Sequence, residues 1–193
     1  MRPERKSAWP AAPLLVACAL AMGALAACSS DDLASDANPG SNGDAEPPEL
    51  AGTLAAHNQV RMQVGLPALT WDPMLASTAK AWVMKCVDDE APEGLVDHNE
   101  GRSGGGPYVG ENIYGASGGG SGPAAVNAWA AESANYNYSS NQCTGVCGHY
   151  TQLVWRETTR VGCAIHSCAG LRYSNTVVCN YAPGGNVNDR RPY

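Results

Sequence analysis

The chain has 193 residues, of which 44% are hydrophobic and 16% charged, so it is long enough for one globular domain with a core and too short for two full domains. Its 18 acidic and 12 basic residues fall to 11 and nine when the first 50 residues are left out, which gives the remainder a net charge of −2. A domain this close to neutral lacks the basic surface of a nucleic-acid-binding protein, so the sequence argues against a polyanionic partner.

The first 27 residues have the organisation of an export signal. Three basic residues lie within the first six, and the apolar run AAPLLVACALAMGALAA follows without a charge. The run ends in LAAC, Leu25 to Cys28, which resembles the lipobox of bacterial lipoproteins, in which the cysteine is lipidated and becomes the mature N-terminus. We predict that residues 1–27 are a lipoprotein signal peptide. Cys28 then anchors the protein to the cell envelope, at the outer membrane if the cell is Gram-negative.

Cleavage by an ordinary signal peptidase is the alternative. The small residues at 24–26 suit such an enzyme, and the product would be a secreted protein in which Cys28 is a spare thiol. The even number of the remaining cysteines favours the lipoprotein, because a free Cys28 would leave one thiol over.

The segment after Cys28 is acidic and poor in apolar residues. Residues 29–50 contain six acidic residues, three prolines and no basic residue. Such a composition cannot bury enough surface to offset the entropy that ordering would cost. We therefore predict that residues 28–50 are a disordered tether and that residues 51–193 form the folded domain.

Six further cysteines remain after Cys18 leaves with the signal peptide and Cys28 is lipidated. They are Cys86, Cys143, Cys147, Cys163, Cys168 and Cys179. In an exported chain an even set is typical of disulfide bonds, so we predict three. A structural zinc site is the weaker alternative, because these cysteines lack the paired CxxC spacing. The sequence does not decide which cysteines are paired.

Two helices are predicted in the first part of the domain. Residues 50–64 contain good helix formers, and a glycine and a proline follow them closely. The segment TWDPMLASTAKAWVMKC repeats apolar residues at helical spacing, with Thr70 or Asp72 as its cap and Pro73 suited to the first turn.

A short strand, a third helix and a hairpin complete the predicted elements. Glycines bracket a strand with Glu111 in its middle, and Ser121 is suited to cap the third helix. The segments GCAIHSC and NTVVCNYAP predict two antiparallel strands, whereas HYTQLVW is too short for its pattern to choose between strand and helix. Early helices and late strands favour an α+β domain.

No local motif assigns a function to the histidines. None of the four belongs to HExxH or a similar metal-binding pattern: His57, His98, His149 and His166. Taken singly, each is typical of a structural residue that makes hydrogen bonds. A functional cluster would therefore have to be assembled from separate elements.

Four motifs in order resemble the signatures of the CAP superfamily, which comprises cysteine-rich secretory, antigen 5 and pathogenesis-related 1 proteins. HNQVR begins at His57 and GENIY at Gly110, while GHYTQLVW begins at Gly148 and is followed by VGCA and by VVCNYAPGGNV. The resemblance covers residues 51–193 and is closest to the plant-type and bacterial members. It implies an α+β fold, a three-layer α-β-α sandwich with a central antiparallel sheet.

The resemblance also implies a cavity lined by two histidines and two glutamates. Its motifs place four residues there: His57, Glu111, Glu132 and His149. The two histidines would be the ligands of a divalent cation, commonly Zn²⁺, for which neutral imidazole is a suitable ligand. The same four side chains can instead share protons and hydrogen bonds and hold their elements together without a metal.

Three functions are compatible with such a cavity. The first is a lipid-anchored binding or interaction module for a sterol, a fatty acid, another hydrophobic ligand or a surface protein, as the resemblance implies. The second is a metal-assisted hydrolase of peptide or cell-wall material, with a glutamate as base. The third is a structural or adhesive surface protein. We favour the binding module, because the family has no generally accepted reaction and no catalytic residue is assigned beyond the four cavity candidates.

Overall fold

The computed structural model describes residues 45–187 and 190–193. The predicted signal peptide, Cys28 and most of the predicted tether lie outside these residues. The described elements are a 3-10 turn (Pro48–Leu50), α1 (Thr53–Gln63), β1 (Thr70–Trp71), α2 (Pro73–Val83), β2 (Gly110–Ala116), α3 (Gly122–Ala131), a second 3-10 turn (Glu132–Asn135), β3 (Tyr136–Asn137), β4 (Gln142–Cys143), α4 (Gly148–Leu153), β5 (Arg160–Ser167) and β6 (Asn175–Ala182). Within the described ranges, no helix has the length and apolar character needed to cross a bilayer.

Four strands form the central sheet, in the order β1-β5-β6-β2. β6 lies antiparallel to both β5 and β2, as the predicted hairpin requires, and the two-residue β1 runs parallel to β5. The predicted antiparallel sheet is therefore extended by one short parallel edge. β3 and β4 pair separately as a small ribbon.

Helices cover both faces of the sheet. α2 packs on β5 and β6, where Ala164 and Val178 belong to its apolar cluster. Their chain neighbours Cys163 and Cys179 belong to the opposite cluster with α1, α3 and α4, because successive residues of a strand point to opposite faces. Gly162 permits the close approach of α2, since a Cβ there would lie 2.3 Å from backbone at the start of that helix. The predicted three-layer α-β-α sandwich is confirmed.

Local signals set the helix starts. Asp72 Oδ1 accepts the N–H groups of Met74 and Leu75 at the start of α2, and Ser121 Oγ accepts the N–H of Ala124 in α3. Both side chains satisfy N–H groups that a helix leaves unpaired in its first turn. The HYTQLVW segment, which the sequence left undecided, forms α4.

The folded domain begins before the predicted boundary at residue 51. Glu46, in the predicted tether, accepts the N–H groups of Gly52 and Leu54 with its two carboxylate oxygens, at 2.6 and 2.8 Å. α1 has no side-chain cap of its own, and a carboxylate at this end also interacts favourably with the helix dipole. Leu50 is buried in the core. Residues 46–50 are therefore part of the fold.

All six predicted cysteines are paired. Cys163–Cys179 joins directly opposed residues of β5 and β6, Cys86–Cys168 joins the chain after α2 to the chain after β5, and Cys143–Cys147 joins β4 to the start of α4. The pairing leaves none of these six as a free thiolate for a zinc site. Three disulfides in a chain of this size are typical of an exported protein.

Candidate functional site

Two histidines from separate elements line one cavity. Its volume is about 230 Å³, and its lining residues are Glu90, Ala91, Pro92, Leu95, Val96, Asp97, His98, Ile113 and His149. His98 comes from the long connection between α2 and β2, and His149 from the first turn of α4. Each of the two histidines is hydrogen-bonded to a glutamate.

Glu111 is the partner of His98. Its Oε1 lies 2.8 Å from Nδ1 of His98 and also accepts the N–H of Asn99 at 2.9 Å. The side chain of Glu111 has no exposed surface, and its Oε2 is buried without a hydrogen-bond partner among the described residues. Since the carboxylate accepts, Nδ1 of His98 carries a proton, and in this tautomer Nε2 is the nitrogen with a lone pair for a ligand.

Glu132 is the partner of His149. Its Oε1 lies 2.6 Å from Nδ1 of His149, and its Oε2 accepts the N–H groups of His149 and Tyr150 at 3.0 and 3.2 Å. The ring of Trp129 stacks on the imidazole with 6.1 Å between ring centroids. The His149 side chain remains 30% exposed. Nε2 of His149, like Nε2 of His98, has no hydrogen-bond partner in the described part of the chain.

His57 lies in the core and is not among the residues that line this cavity. It has no exposed surface, its Nδ1 lies 2.8 Å from the carbonyl oxygen of Thr53, and its Nε2 lies 2.9 Å from the hydroxyl of Tyr181. The carbonyl only accepts, so Nδ1 donates and Nε2 accepts the Tyr181 proton. Burial lowers the pKa of His57 to about 4, so the ring is neutral at pH 7.

The structure therefore pairs Glu111 with His98, whereas His57, which the motifs had placed in the cavity, lies in the core. Of the four predicted cavity residues, His149 and Glu132 are hydrogen-bonded to each other, and Glu111 reaches the cavity through His98. The sequence analysis did not identify His98 as a cavity residue, because the sequence shows only that it lies in a polar loop before the strand that carries Glu111. A surface histidine would give the same signal.

The HNQVR motif builds the core in the structure. Arg61 is 1% exposed and donates to four carbonyl oxygens at 2.9 to 3.0 Å, those of Pro67, Leu153, Trp155 and Thr158. Burial lowers the pKa of Arg61 to about 10, which leaves it charged at pH 7. Asn112 connects this region to the cavity, because its Nδ2 donates both to the Tyr181 hydroxyl and to the carbonyl oxygen of His149.

The donors at the cavity fit a divalent cation. Metal-binding histidines usually donate one ring N–H to a carboxylate or carbonyl, which orients the other nitrogen toward the ion. His98 and His149 both have this arrangement.

Another group of potential metal ligands lies in the core. The donor atoms of His57, Cys163 and Cys179 lie within 4.8 Å of one another. The two cysteines are joined in a disulfide, and Nε2 of His57 is bonded to Tyr181. This group offers no thiolate, which is the form of cysteine that binds metals.

Comparisons with known proteins agree with this fold and these motifs. The profile of the cysteine-rich secretory protein family, CAP, matches residues 54–181. Pathogenesis-related protein 1 of Arabidopsis thaliana is 45% identical over 139 residues, which are 72% of this chain and 78% of that protein. Venom allergen-like protein 4 of Schistosoma mansoni is 28% identical with a TM-score of 0.58, over 76% of this chain and 94% of that one. NaASP2, in a crystal structure with Zn²⁺, is 27% identical with a TM-score of 0.59, over 79% and 87%. This chain belongs to the CAP family of cysteine-rich secretory proteins.

Proposed function

We propose that this chain is an exported binding module that holds a divalent cation through Nε2 of His98 and Nε2 of His149. The observation that carries the proposal is that each Nδ1 is bonded to its own glutamate, which leaves two unpaired nitrogens on the lining residues of one cavity. The structure of NaASP2 with Zn²⁺ supports zinc as the cation.

Glu111 and Glu132 have the role of orienting the two ligands. Each holds its histidine as the tautomer that leaves Nε2 free, and both contribute negative charge beside the cation. Asn112 restrains the backbone of His149 from the core side. The bound cation would supply an electrophilic centre that accepts an oxygen or nitrogen atom of a ligand.

The cavity limits the ligand in size and character. Ala91, Pro92, Leu95, Val96 and Ile113 give it an apolar wall, and its volume of about 230 Å³ is below the roughly 300–1,000 Å³ of sites that enclose drug-sized molecules. We therefore propose a ligand with one metal-binding group and a small apolar part inside the cavity. Of the hydrophobic ligands expected from the sequence, a fatty acid meets this description better than a whole sterol, because its carboxylate binds cations. An exposed side chain of a surface protein is the other occupant of this kind.

Cation titration of the purified chain tests the proposal. We expect Zn²⁺ or Co²⁺ to bind the wild-type protein, and His98→Ala and His149→Ala each to weaken binding by at least roughly 100-fold, since each removes a ligand. His166→Ala is the matched control, because this half-buried histidine of β5 lies outside the cavity. An affinity that is equal in wild type and His98→Ala would contradict the proposal.

The lipid anchor is a separate part of the proposed function. Three disulfides support export, and the LAAC segment supports attachment through Cys28. We expect the wild-type protein to sediment with membranes and Cys28→Ser to be released in soluble form. A chain whose intact mass begins at a residue other than Cys28 would argue for ordinary secretion.

A metal-assisted hydrolase is the second candidate function. It is favoured by the two glutamates that are hydrogen-bonded to the cavity histidines, since a carboxylate beside a bound cation has the chemistry of a general base. The test is turnover of peptide and cell-wall substrates at saturating cation. Loss of turnover in Glu111→Gln with the cation still bound would support the hydrolase, and unchanged turnover would exclude Glu111 as the base.

A further inference from the structure

The disulfide Cys143–Cys147 differs from the other two because one of its cysteines, Cys143, is exposed, although Cys147 is only 2% exposed. Cys143 lies in an exposed strand, whereas Cys163 and Cys179 are 2% and 0% exposed. The third disulfide combines the half-buried Cys86 with Cys168, which is 0% exposed. Thiol–disulfide exchange begins with attack on an accessible sulfur. Among the six bonded cysteines, Cys143 is therefore the best placed to react.

This exposed disulfide is joined directly to the helix that carries His149. Cys147 immediately precedes α4, and its carbonyl oxygen accepts both the N–H and the hydroxyl of Thr151. Two and three positions further on, His149 and Tyr150 donate their N–H groups to Glu132. The cross-link thus restrains the position from which His149 contacts its glutamate.

We propose that Cys143–Cys147 is a redox-sensitive cross-link that regulates cation binding at His149. The inference rests on the cation site proposed above. In the oxidised protein the disulfide holds the start of α4 against Glu132. In the reduced protein this segment loosens, the His149–Glu132 contact weakens, and the affinity for the cation falls.

The reduction needs a dithiol reductant. One thiolate of the reductant attacks Sγ of Cys143, the bond between the two sulfurs breaks, and Cys147 leaves as a thiolate that takes a proton from solvent. The second thiol of the reductant then attacks the mixed disulfide and releases Cys143. Two electrons pass to the protein, which ends with two thiols, while the reductant ends as a disulfide.

The fold is arranged to survive this change. Cys143 and Cys147 are only four positions apart, whereas Cys86 and Cys168 are separated by 82, and a short loop constrains the unfolded chain least. Two side-chain contacts also remain after reduction: Asn135 Nδ2 donates to Val146 and Asn186 Nδ2 donates to Gly148, each at 2.9 Å. These contacts should limit the loosening to a local change and keep the domain folded.

Limited reduction of the full chain tests this inference. After brief exposure to dithiothreitol, free thiols are alkylated, the reagents are removed, the labelled cysteines are identified by mass spectrometry and Zn²⁺ is titrated. We expect Cys143 and Cys147 to be labelled before the other four cysteines, and the affinity to fall by roughly 10-fold, the lower end of the effect of losing a residue that orients a ligand. Earlier reduction of another disulfide, or an unchanged affinity, would overturn the inference.

The variant Cys143→Ser/Cys147→Ser is the matched control, because it lacks the cross-link without carrying an alkyl group. Its affinity should equal that of the reduced protein and should not respond to dithiothreitol. Amide exchange gives a readout that does not need a cation: the N–H groups of His149 and Tyr150 should exchange faster in this variant than in wild type. If the oxidised protein binds no cation, the proposed function fails. If the amide exchange rates of His149 and Tyr150 are the same in the variant and in wild type, the disulfide does not restrain this segment, and the further inference fails independently of cation binding.

Discussion

His57 and His149 are connected through Tyr181 and Asn112, yet their surroundings are opposite. In the core, both ring nitrogens of His57 are hydrogen-bonded within the protein. At the cavity, His149 uses one nitrogen to hold Glu132 and presents the other without a partner. A buried polar group whose hydrogen bonds are all satisfied within the protein stabilises a unique core. A nitrogen that lines an accessible cavity without a hydrogen-bond partner is available to bind a ligand.

Charge separates the two regions as well. In the core region, burial and then the charge of the buried Arg61 guanidinium lower the pKa of His57, and both oppose any added positive charge there. The cavity region contains Glu111 and Glu132, with Glu90 and Asp97 among its lining residues. Opposite charges attract and like charges repel over these distances, so a cation is favoured at the cavity and disfavoured beside His57.

The largest expected effect comes from breaking the core region at Arg61. Arg61→Ala removes a donor from four carbonyl oxygens, of which that of Trp155 still accepts the N–H of Thr158, and we expect a loss of about 5 kcal/mol in the free energy of unfolding. Chemical denaturation measures it. Arg156→Ala, at an exposed position, is the control and should change stability by less than about 0.5 kcal/mol. A loss below about 1 kcal/mol for Arg61→Ala would mean that the core does not depend on this network.

Acid should weaken the core region through His57. Its pKa is lowered from 6.5 in the unfolded chain to about 4 in the fold, so between these values the unfolded chain binds more protons. The contribution is complete above pH 6.5 and is lost as the pH falls toward 4, by about 3 kcal/mol. Urea unfolding at a series of pH values should show this slope in wild type and a shallower one in His57→Gln. Equal slopes would contradict a buried neutral His57.

Loss of the exposed cross-link should cost less. For Cys143→Ser/Cys147→Ser we expect the free energy of unfolding to fall by about 2 kcal/mol, because the closed loop is short. The comparison is Cys86→Ser/Cys168→Ser, whose separation of 82 residues predicts a larger loss in the same denaturation experiment. If the loss of unfolding free energy were larger for Cys143→Ser/Cys147→Ser, the short loop closed by that disulfide would contribute more to stability than the long one.

The smallest effect on stability is expected at Glu111. Glu111→Gln keeps an oxygen that accepts from His98 and Asn99, and it replaces an unpartnered carboxylate oxygen with an unpartnered amide NH2 while removing a buried charge; these two effects oppose each other, so stability should change by less than about 1 kcal/mol. Cation affinity should nevertheless fall by roughly 10- to 100-fold, because the residue orients a ligand. Glu100→Gln, whose side chain is 89% exposed, should change neither quantity. A large loss of stability with unchanged affinity would place Glu111 in the core region.

The sequence by itself determined the features that depend on residues close together in the chain. Asp72 and Ser121 start their helices through hydrogen bonds to residues two or three positions away, and the hairpin of β5 and β6 follows from alternating patterns on either side of a turn. The even set of cysteines predicted three disulfides, and the four motifs predicted the α-β-α sandwich. The motifs also placed Glu132 and His149 in one cavity, and in the structure these two side chains are hydrogen-bonded to each other.

Only the tertiary structure decided which histidine lines the cavity and which cysteines are paired. His57 lies on the inner face of α1, but its role depends on Tyr181, 124 positions away. The Tyr181 hydroxyl is hydrogen-bonded to Nε2 of His57, so this nitrogen is not available to a cation. His98 acquires its role because a loop without regular structure brings it to Glu111. Neither contact leaves a periodic or local signal in the chain. Hydrogen bonds and disulfides form only between atoms that lie within a few ångströms of each other. For residues far apart in the sequence, the packing of the folded chain is what brings these atoms together.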